Sequence, residues 1–208
     1  MTAEVQVWVA SLDVSNERYE KLARVLPPDE KNRAVALNPV AARRFVVARG
    51  ILRNLLSGFT GAAPEKLQFS YGHSGKPVLI DRDDIHFNIS HSAELGLFAF
   101  APDREVGVDV ENERPVRRLL DVAQRFMSED ELRSLAETPE DERNSAFLKS
   151  WVVREARLKA EGKGVWEGSG KTSTNGTLTH KLFAPRPNYI AAVAARSDWR
   201  LFTCAMKD

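Results

Sequence analysis

A helix in a folded domain keeps one side apolar, and the stretch from Phe147 to Gly164, FLKSWVVREARLKAEGKG, places a carboxylate on that side. At about 3.6 residues per turn, Phe147, Leu148, Trp151, Val152 and Leu158 gather on one stripe. Glu155 falls inside the stripe and Lys159 lies one turn further along the same face, while Lys149, Ser150 and Arg157 supply the polar side. An inward carboxylate costs several kcal/mol unless a cation or a hydrogen-bond donor meets it. Any fold this chain adopts must therefore bring a partner to Glu155. On this segment alone, a structural pair with Lys159 at the i, i+4 spacing satisfies the demand equally well.

A second segment separates those readings. Glu105 to Glu111, EVGVDVE, alternates with period two: Val106, Val108 and Val110 face one way, Gly107, Asp109 and Glu111 the other. Two carboxylates two residues apart on a strand lie roughly 6.5–7 Å apart along the backbone, so their oxygens can converge on one ion. Gly107 leaves room beside Asp109 for a ligand to approach the backbone. A solvated strand face is the plain alternative. Joined to an inward Glu155, however, Asp109 and Glu111 make a set of oxygen donors of the kind hard cations prefer. Magnesium takes a few carboxylates and keeps its other positions for water and phosphate. The combination points to metal-assisted chemistry on a phosphate ester.

Charge and cysteine content narrow the class. The 30 basic and 29 acidic side chains nearly cancel, whereas a protein that neutralises nucleic-acid phosphates carries a basic excess. With Cys204 alone there is no disulfide framework and no cysteine-based zinc site within one chain. The four histidines, His73, His86, His91 and His180, have no metal-ligand spacing. No apolar run reaches transmembrane length, and MTAEVQVWVASLDV at the start reads as a strand instead of a signal peptide. The expectation is a cytoplasmic enzyme, with 43% hydrophobic residues to build its core.

Strand and helix signals mix without a regular βα alternation, which predicts an α+β fold with helices on antiparallel sheets. Strands are expected at Val5–Ala10, Gln68–Tyr71, Pro77–Ile80, Leu95–Phe100, Tyr189–Ala194 and Trp199–Ala205. Leu95–Phe100 is apolar on both faces and so central. Helices are expected over Arg43–Leu56, after Pro115 in VRRLLDVAQRF, from the capping box Ser128–Glu131, and through the Phe147 segment, with Gly162 or Gly164 ending it. Ala101–Arg104 is the natural joint between halves 1–103 and 104–208. GSGKT, Gly168–Thr172, imitates the end of a phosphate-binding P-loop, but Val165 stands where the motif needs its first glycine. That stretch reads as a surface loop.

Two further segments bear on an anionic ligand. Gly75-Lys76-Pro77 presents a lysine where a strand begins; alone, it reads as a solvated turn. His86–Ser92, HFNISHS, clusters Ser90, His91 and Ser92, which can donate to phosphate oxygens or simply satisfy a turn.

Together, FNISHS, GVDVE and WVVREARLKAEGKG, in that order and separation, resemble the surfactin-synthetase-activating (Sfp-like) type of 4'-phosphopantetheinyl transferase. GKP at Gly75 to Pro77 and the arginine-rich helix around Arg49 fit the same pattern. The resemblance runs from about Pro28 to Gly164. It implies a monomeric pseudodimer of two α+β halves with coenzyme A in the cleft between them. It further implies transfer of the 4'-phosphopantetheine arm to a serine of an apo acyl or peptidyl carrier protein, releasing 3',5'-ADP. Carried over by position, Asp109, Glu111 and Glu155 would hold magnesium. Lys76, His91 and Arg49 would contact the 3'-phosphate end, with Ser90 near the pyrophosphate. Lys159 would neutralise charge on the transferred phosphate, and Glu155 would accept the proton of the carrier serine. Serine attack on a pyrophosphate needs those two services, an activated nucleophile and a neutralised leaving group.

Two positions depart from the family pattern. Arg154 stands where relatives commonly carry lysine; it keeps the charge for a coenzyme A contact but presents a planar fork. Asn112 replaces a residue that is often basic. Arg114, Arg117, Arg118 and Leu119 offer a surface to an acidic carrier, or simply a solvated basic face. Two rival functions share the carboxylates: a magnesium-dependent phosphodiesterase, and a silent binder of coenzyme A or carrier.

Overall fold

Two main sheets carry the chain, and each belongs to a run in which a first strand is followed by three helices and a later hairpin. The structure is a computed structural model that describes residues 3–72, 75–162 and 177–206. The first run of elements is β1 (Ala3–Ser11), α1 (Asn16–Arg24), α2 (Pro28–Val35), α3 (Pro39–Thr60), a 3-10 turn (Pro64–Lys66), β2 (Phe69–Tyr71), β3 (Pro77–Leu79), β4 (His86–Ser92) and β5 (Leu95–Ala101). The second is β6 (Val106–Asn112), α4 (Leu119–Ala123), α5 (Glu129–Glu137), α6 (Glu140–Ala160), β7 (Leu178–Phe183), β8 (Tyr189–Arg196) and β9 (Trp199–Ala205). The larger sheet has the order β4-β5-β1-β9 and the smaller β6-β8-β7, with β2-β3 a separate ribbon. Among the described residues, all strand pairings are antiparallel except β1 with β9. The fold is α+β, as the mixed pattern predicts.

In each run the first strand lies beside the second strand of a later hairpin, giving β4-β5-β1 and β7-β8-β6. The β5–β6 connection contains the Ala101–Arg104 joint, but sheet pairing does not divide there. The strand β9 returns to β1, Ala3 opposite Trp199 through Val9 opposite Ala205. Val5, Val7 and Val9 of β1 share one core with Val106, Val108 and Val110 of β6. A second core lies beneath α3 and a third beneath α6.

Local signals explain most boundaries. Asn38 caps α3 by accepting from the Ala41 N–H, Pro39 occupies the first turn, and Gly61 ends it at φ 70°. Ser128 and Glu131 form the expected capping box of α5. Gly162 lies just past the C-cap of α6 at φ 70°, donating its N–H to the Lys159 carbonyl. The Leu95–Ala101 strand is buried at every position, as a central strand should be. The helix expected after Pro115 shrinks to Leu119–Ala123, because Arg118 at its N-cap takes a left-handed φ of 53°. The GSGKT segment lies outside the described residues. Among the described residues, no helix is long and apolar enough to cross a membrane.

Gly107 corrects one expectation. The space beside it is filled by α6, not kept for a ligand: a Cβ there would stand 2.0 Å from the Ala156 carbonyl oxygen and 2.4 Å from the Ala160 nitrogen. The glycine serves helix-on-strand contact, and that contact delivers Glu155 to β6.

Candidate active site

The site grows along the edge of β6 that faces β4. One edge of β6 pairs with β8; along the other, side chains replace the missing ladder. The Val108 N–H donates to Asn88 Oδ1 at 2.9 Å and the Asn112 N–H to Ser92 Oγ at 3.1 Å. The carbonyls of Val106 and Val108 accept from Lys76 Nζ and Lys159 Nζ, each at 3.3 Å. Alternation of β4 thus aims Asn88, Ser90 and Ser92 at β6, which is why HFNISHS is a strand carrying hydroxyls and not a turn.

The carboxylates sit directly behind that seam. Ser90 Oγ donates to Asp109 Oδ1 and Ser92 Oγ to Glu111 Oε2, both at 2.8 Å. Lys159 Nζ donates to Asp109 Oδ1 at 2.6 Å and to Ser90 Oγ at 3.2 Å. Glu155 points inward, as the helical stripe requires, and is 6% exposed. The lysine one turn along goes to Asp109 instead of forming a local pair with Glu155. Among the described residues, two buried oxygens, Asp109 Oδ2 and Glu155 Oε1, have no hydrogen-bond partner.

Electrostatics follow from this crowding. Burial first, and then the Asp109 carboxylate, push the Glu155 pKa above the ordinary carboxylate value. Glu111 is raised for the same two reasons, against the pull of its Ser92 hydrogen bond. Among the described residues, no three His, Cys, Asp or Glu side chains already form a cage for an ion. The donor chemistry nevertheless fits a hard divalent cation: orphaned oxygens of Asp109 and Glu155, with Glu111 on the same cleft, are oxygen ligands short of positive charge.

The cleft measures about 490 Å³. Arg49, Lys76, Ser90, His91, Asp109, Glu111, Glu155 and Lys159 all line it. Arg154 does not. Its guanidinium lies 5.5 Å over the Phe126 ring, with Nε buried and without a partner among the described residues, and its charge acts on Glu155 from beside the cleft. Lys76 reaches the cleft but is engaged: it donates to Glu105 Oε2 at 2.8 Å, to the Val106 carbonyl and, at 3.2 Å, to the Lys159 carbonyl. A hydrogen bond from His86, helped by the Lys76 charge, holds Glu105 down at about 2. His91 overhangs the cleft; partial burial, then the cations of Lys159 and Arg44, push its imidazole below the usual value and toward the neutral form. Arg49 is buried and ion-paired to Glu30.

Other lining residues escape a sequence reading. Arg33, on α2, lies 4.7 Å over the Tyr71 ring and 5.8 Å over Phe45, and all three line the cleft. Pro28 and the acidic first turn, Asp29 and Glu30, mark α2 as a helix start. No local pattern tells which way Arg33 faces.

Comparison with known proteins agrees with this geometry. The family model described as the 4'-phosphopantetheinyl transferase superfamily matches residues 105–202. The 4'-phosphopantetheinyl transferase HetI of a Nostoc species is 37% identical over 169 residues, covering 79% of this chain and 71% of that one. The chain belongs to the 4'-phosphopantetheinyl transferase superfamily. The transferase Sfp of Bacillus subtilis is 29% identical over 153 residues, 73% of this chain and 67% of its own. AcpT of Salmonella typhimurium is 32% identical over 134 residues, 64% of this chain and 67% of its own. The Sfp-like assignment drawn from FNISHS, GVDVE and WVVREARLKAEGKG thus holds, and the protein is an enzyme of this superfamily.

Proposed function

We propose that this transferase moves the 4'-phosphopantetheine arm of coenzyme A to a serine of an apo acyl or peptidyl carrier protein, in a magnesium-dependent reaction. The observation that carries the reading is the pair of buried, unpartnered oxygens, Asp109 Oδ2 and Glu155 Oε1, on a cleft that also holds Lys159. Asp109, Glu111 and Glu155 would hold the ion, which supplies positive charge against the pyrophosphate. Lys159 neutralises the transferred phosphate, and Ser90 donates beside it. Arg49 and His91 receive the 3'-phosphate end, joined by Lys76 when it exchanges Glu105 for the anion. Arg154 is left out of this set. The carrier serine oxygen bonds to the phosphorus bearing the pantetheine arm while the bridging oxygen leaves with 3',5'-ADP. Glu155, directly or through a water, takes the serine proton; its raised pKa suits a base.

The matching strand orders support a pseudodimer in which one chain supplies the whole cleft. The test is the intact mass of an apo carrier incubated with enzyme, coenzyme A and magnesium, beside an EDTA control. A gain of one phosphopantetheine, absent with EDTA, is expected. No gain on any of several acyl and peptidyl carriers would refute the proposal. Nucleotide turnover without a carrier would favour the phosphodiesterase.

A further inference from the structure

Glu30, on α2, is fully buried between two guanidiniums of α3. Its Oε1 accepts from Arg49 Nε at 2.7 Å and from Arg49 Nη2; its Oε2 accepts from Arg53 Nε at 2.7 Å. A carboxylate at that depth persists only when paired and hydrogen-bonded. The two arginines differ in what they have left. Arg53 gives Nη1 to the carbonyls of Pro64 and Leu67, at 2.8 and 2.9 Å, and stays out of the cleft. Arg49 lines the cleft, adds a bond from Nη2 to Tyr71 Oη at 3.1 Å, and has no bond from Nη1 to any described residue. Both guanidiniums stack on Phe69, 4.6 and 4.9 Å from its centroid, so neither is free to swing. Two arginines and one glutamate leave a single positive charge, and only one of the arginines reaches the cleft.

We infer that Glu30 is a positioning residue: anchored by Arg53, it holds the Arg49 fork with its unused Nη1 edge available to the 3'-phosphate of the donor. This rests on the proposal that Arg49 meets that phosphate. Arg53 fixes the carboxylate, the carboxylate fixes Arg49, and Arg49 reads the anion. Glu30 also ties α2 to α3, which seats Arg33 over Tyr71 one turn further along.

The test is donor preference, kcat/KM for coenzyme A over 3'-dephospho-coenzyme A, read from carrier mass gain. Glu30→Gln is expected to lower that preference about tenfold, with transfer from 3'-dephospho-coenzyme A changed less than about twofold. Equal losses with both donors, or an unchanged preference, would overturn the inference, because a merely structural residue does not tell the donors apart. Glu30→Asp keeps the charge and shortens the reach; it carries the test if the Gln variant does not fold, with an expected drop of about threefold. No drop in that variant overturns the inference too. A wild-type enzyme that transfers from neither donor refutes the transferase reading itself, and the inference with it. A wild type that transfers from both, beside a variant of unaltered preference, refutes the inference alone.

Discussion

The two halves share a three-strand order, β4-β5-β1 and β7-β8-β6, and a long helix, and yet only one brings carboxylates together. On the helix-facing side, β1 presents Gln6, Trp8 and Ala10, where β6 presents Gly107, Asp109 and Glu111. Beneath α3 the core is filled by Trp8, Phe87, Phe98 and Phe100. Beneath α6 it includes Ala156, Ala160, Ala192 and Ala194. Aromatic rings hold α3 away from its sheet, while small residues let the backbone of α6 lie against β6 and β8. The difference teaches what converts a scaffold half into a reactive one. Close approach, not the carboxylates alone, puts Glu155 beside Asp109. The first half lines the same cleft with cations instead, through Arg33 and Arg49.

The largest way to break this contrast is Gly107→Ala. A methyl group cannot fit 2.0 Å from a carbonyl oxygen, so α6 must move; a loss of at least about 3 kcal/mol in urea unfolding is expected. Gln6→Ala, on the corresponding face of β1, should cost under about 1 kcal/mol. Equal costs would mean that close approach is no special property of the second half.

Glu155→Gln comes next. Transfer should fall about a thousandfold, with the fold retained. Metal-free stability sharpens the point. A carboxyl whose folded pKa is raised binds more protons folded than unfolded, so stability falls as pH rises from 4.5 through the folded value. Urea unfolding in EDTA should show that decline in the wild type and a shallower one in the Gln variant. Magnesium should raise the wild-type melting temperature by a few degrees and leave the variant's nearly unmoved. A metal-free wild type insensitive to pH, and to magnesium afterwards, would contradict the buried-carboxylate account.

The smallest expected effect is at the seam between halves. Glu105 is lowered from 4.5 to about 2, so its contribution is present above pH 4.5 and lost as pH falls toward 2. Because the side chain is 52% exposed, solvent screening reduces its worth to about 1 kcal/mol. Glu105→Gln should cost that much at pH 7 and nothing near pH 2, measured by urea unfolding. A constant cost across that range would assign the loss to packing.

The elements legible in the sequence are those whose signal is local. The alternation of EVGVDVE and the stripe through Phe147, Trp151 and Val152 locate β6 and α6, and Glu155 faces inward as that stripe demands. Turn and cap residues placed α5 and the end of α6 for the same reason. Edge strand β7 escaped because LTHKLF buries only Leu178 fully and shows no clean alternation. The partner of Lys159 escaped because it lies on another element, at Asp109. Gly107 was readable as a special position, but a missing side chain makes room equally for a ligand and for a helix. Glu30 lies in an acidic first helical turn, and its burial depends on arginines of the next helix, which no local pattern announces.

The return of β9 to β1 has a consequence for how the protein is made. The strand β1 waits for a partner made only after β6, β7 and β8, since Ala3 lies opposite Trp199. Until then a nascent chain carries β1 with one edge bare, a template for wrong pairing. The β4-β5-β1 sheet cannot close before β9 has been made, so it and the β6-β8-β7 sheet mature together.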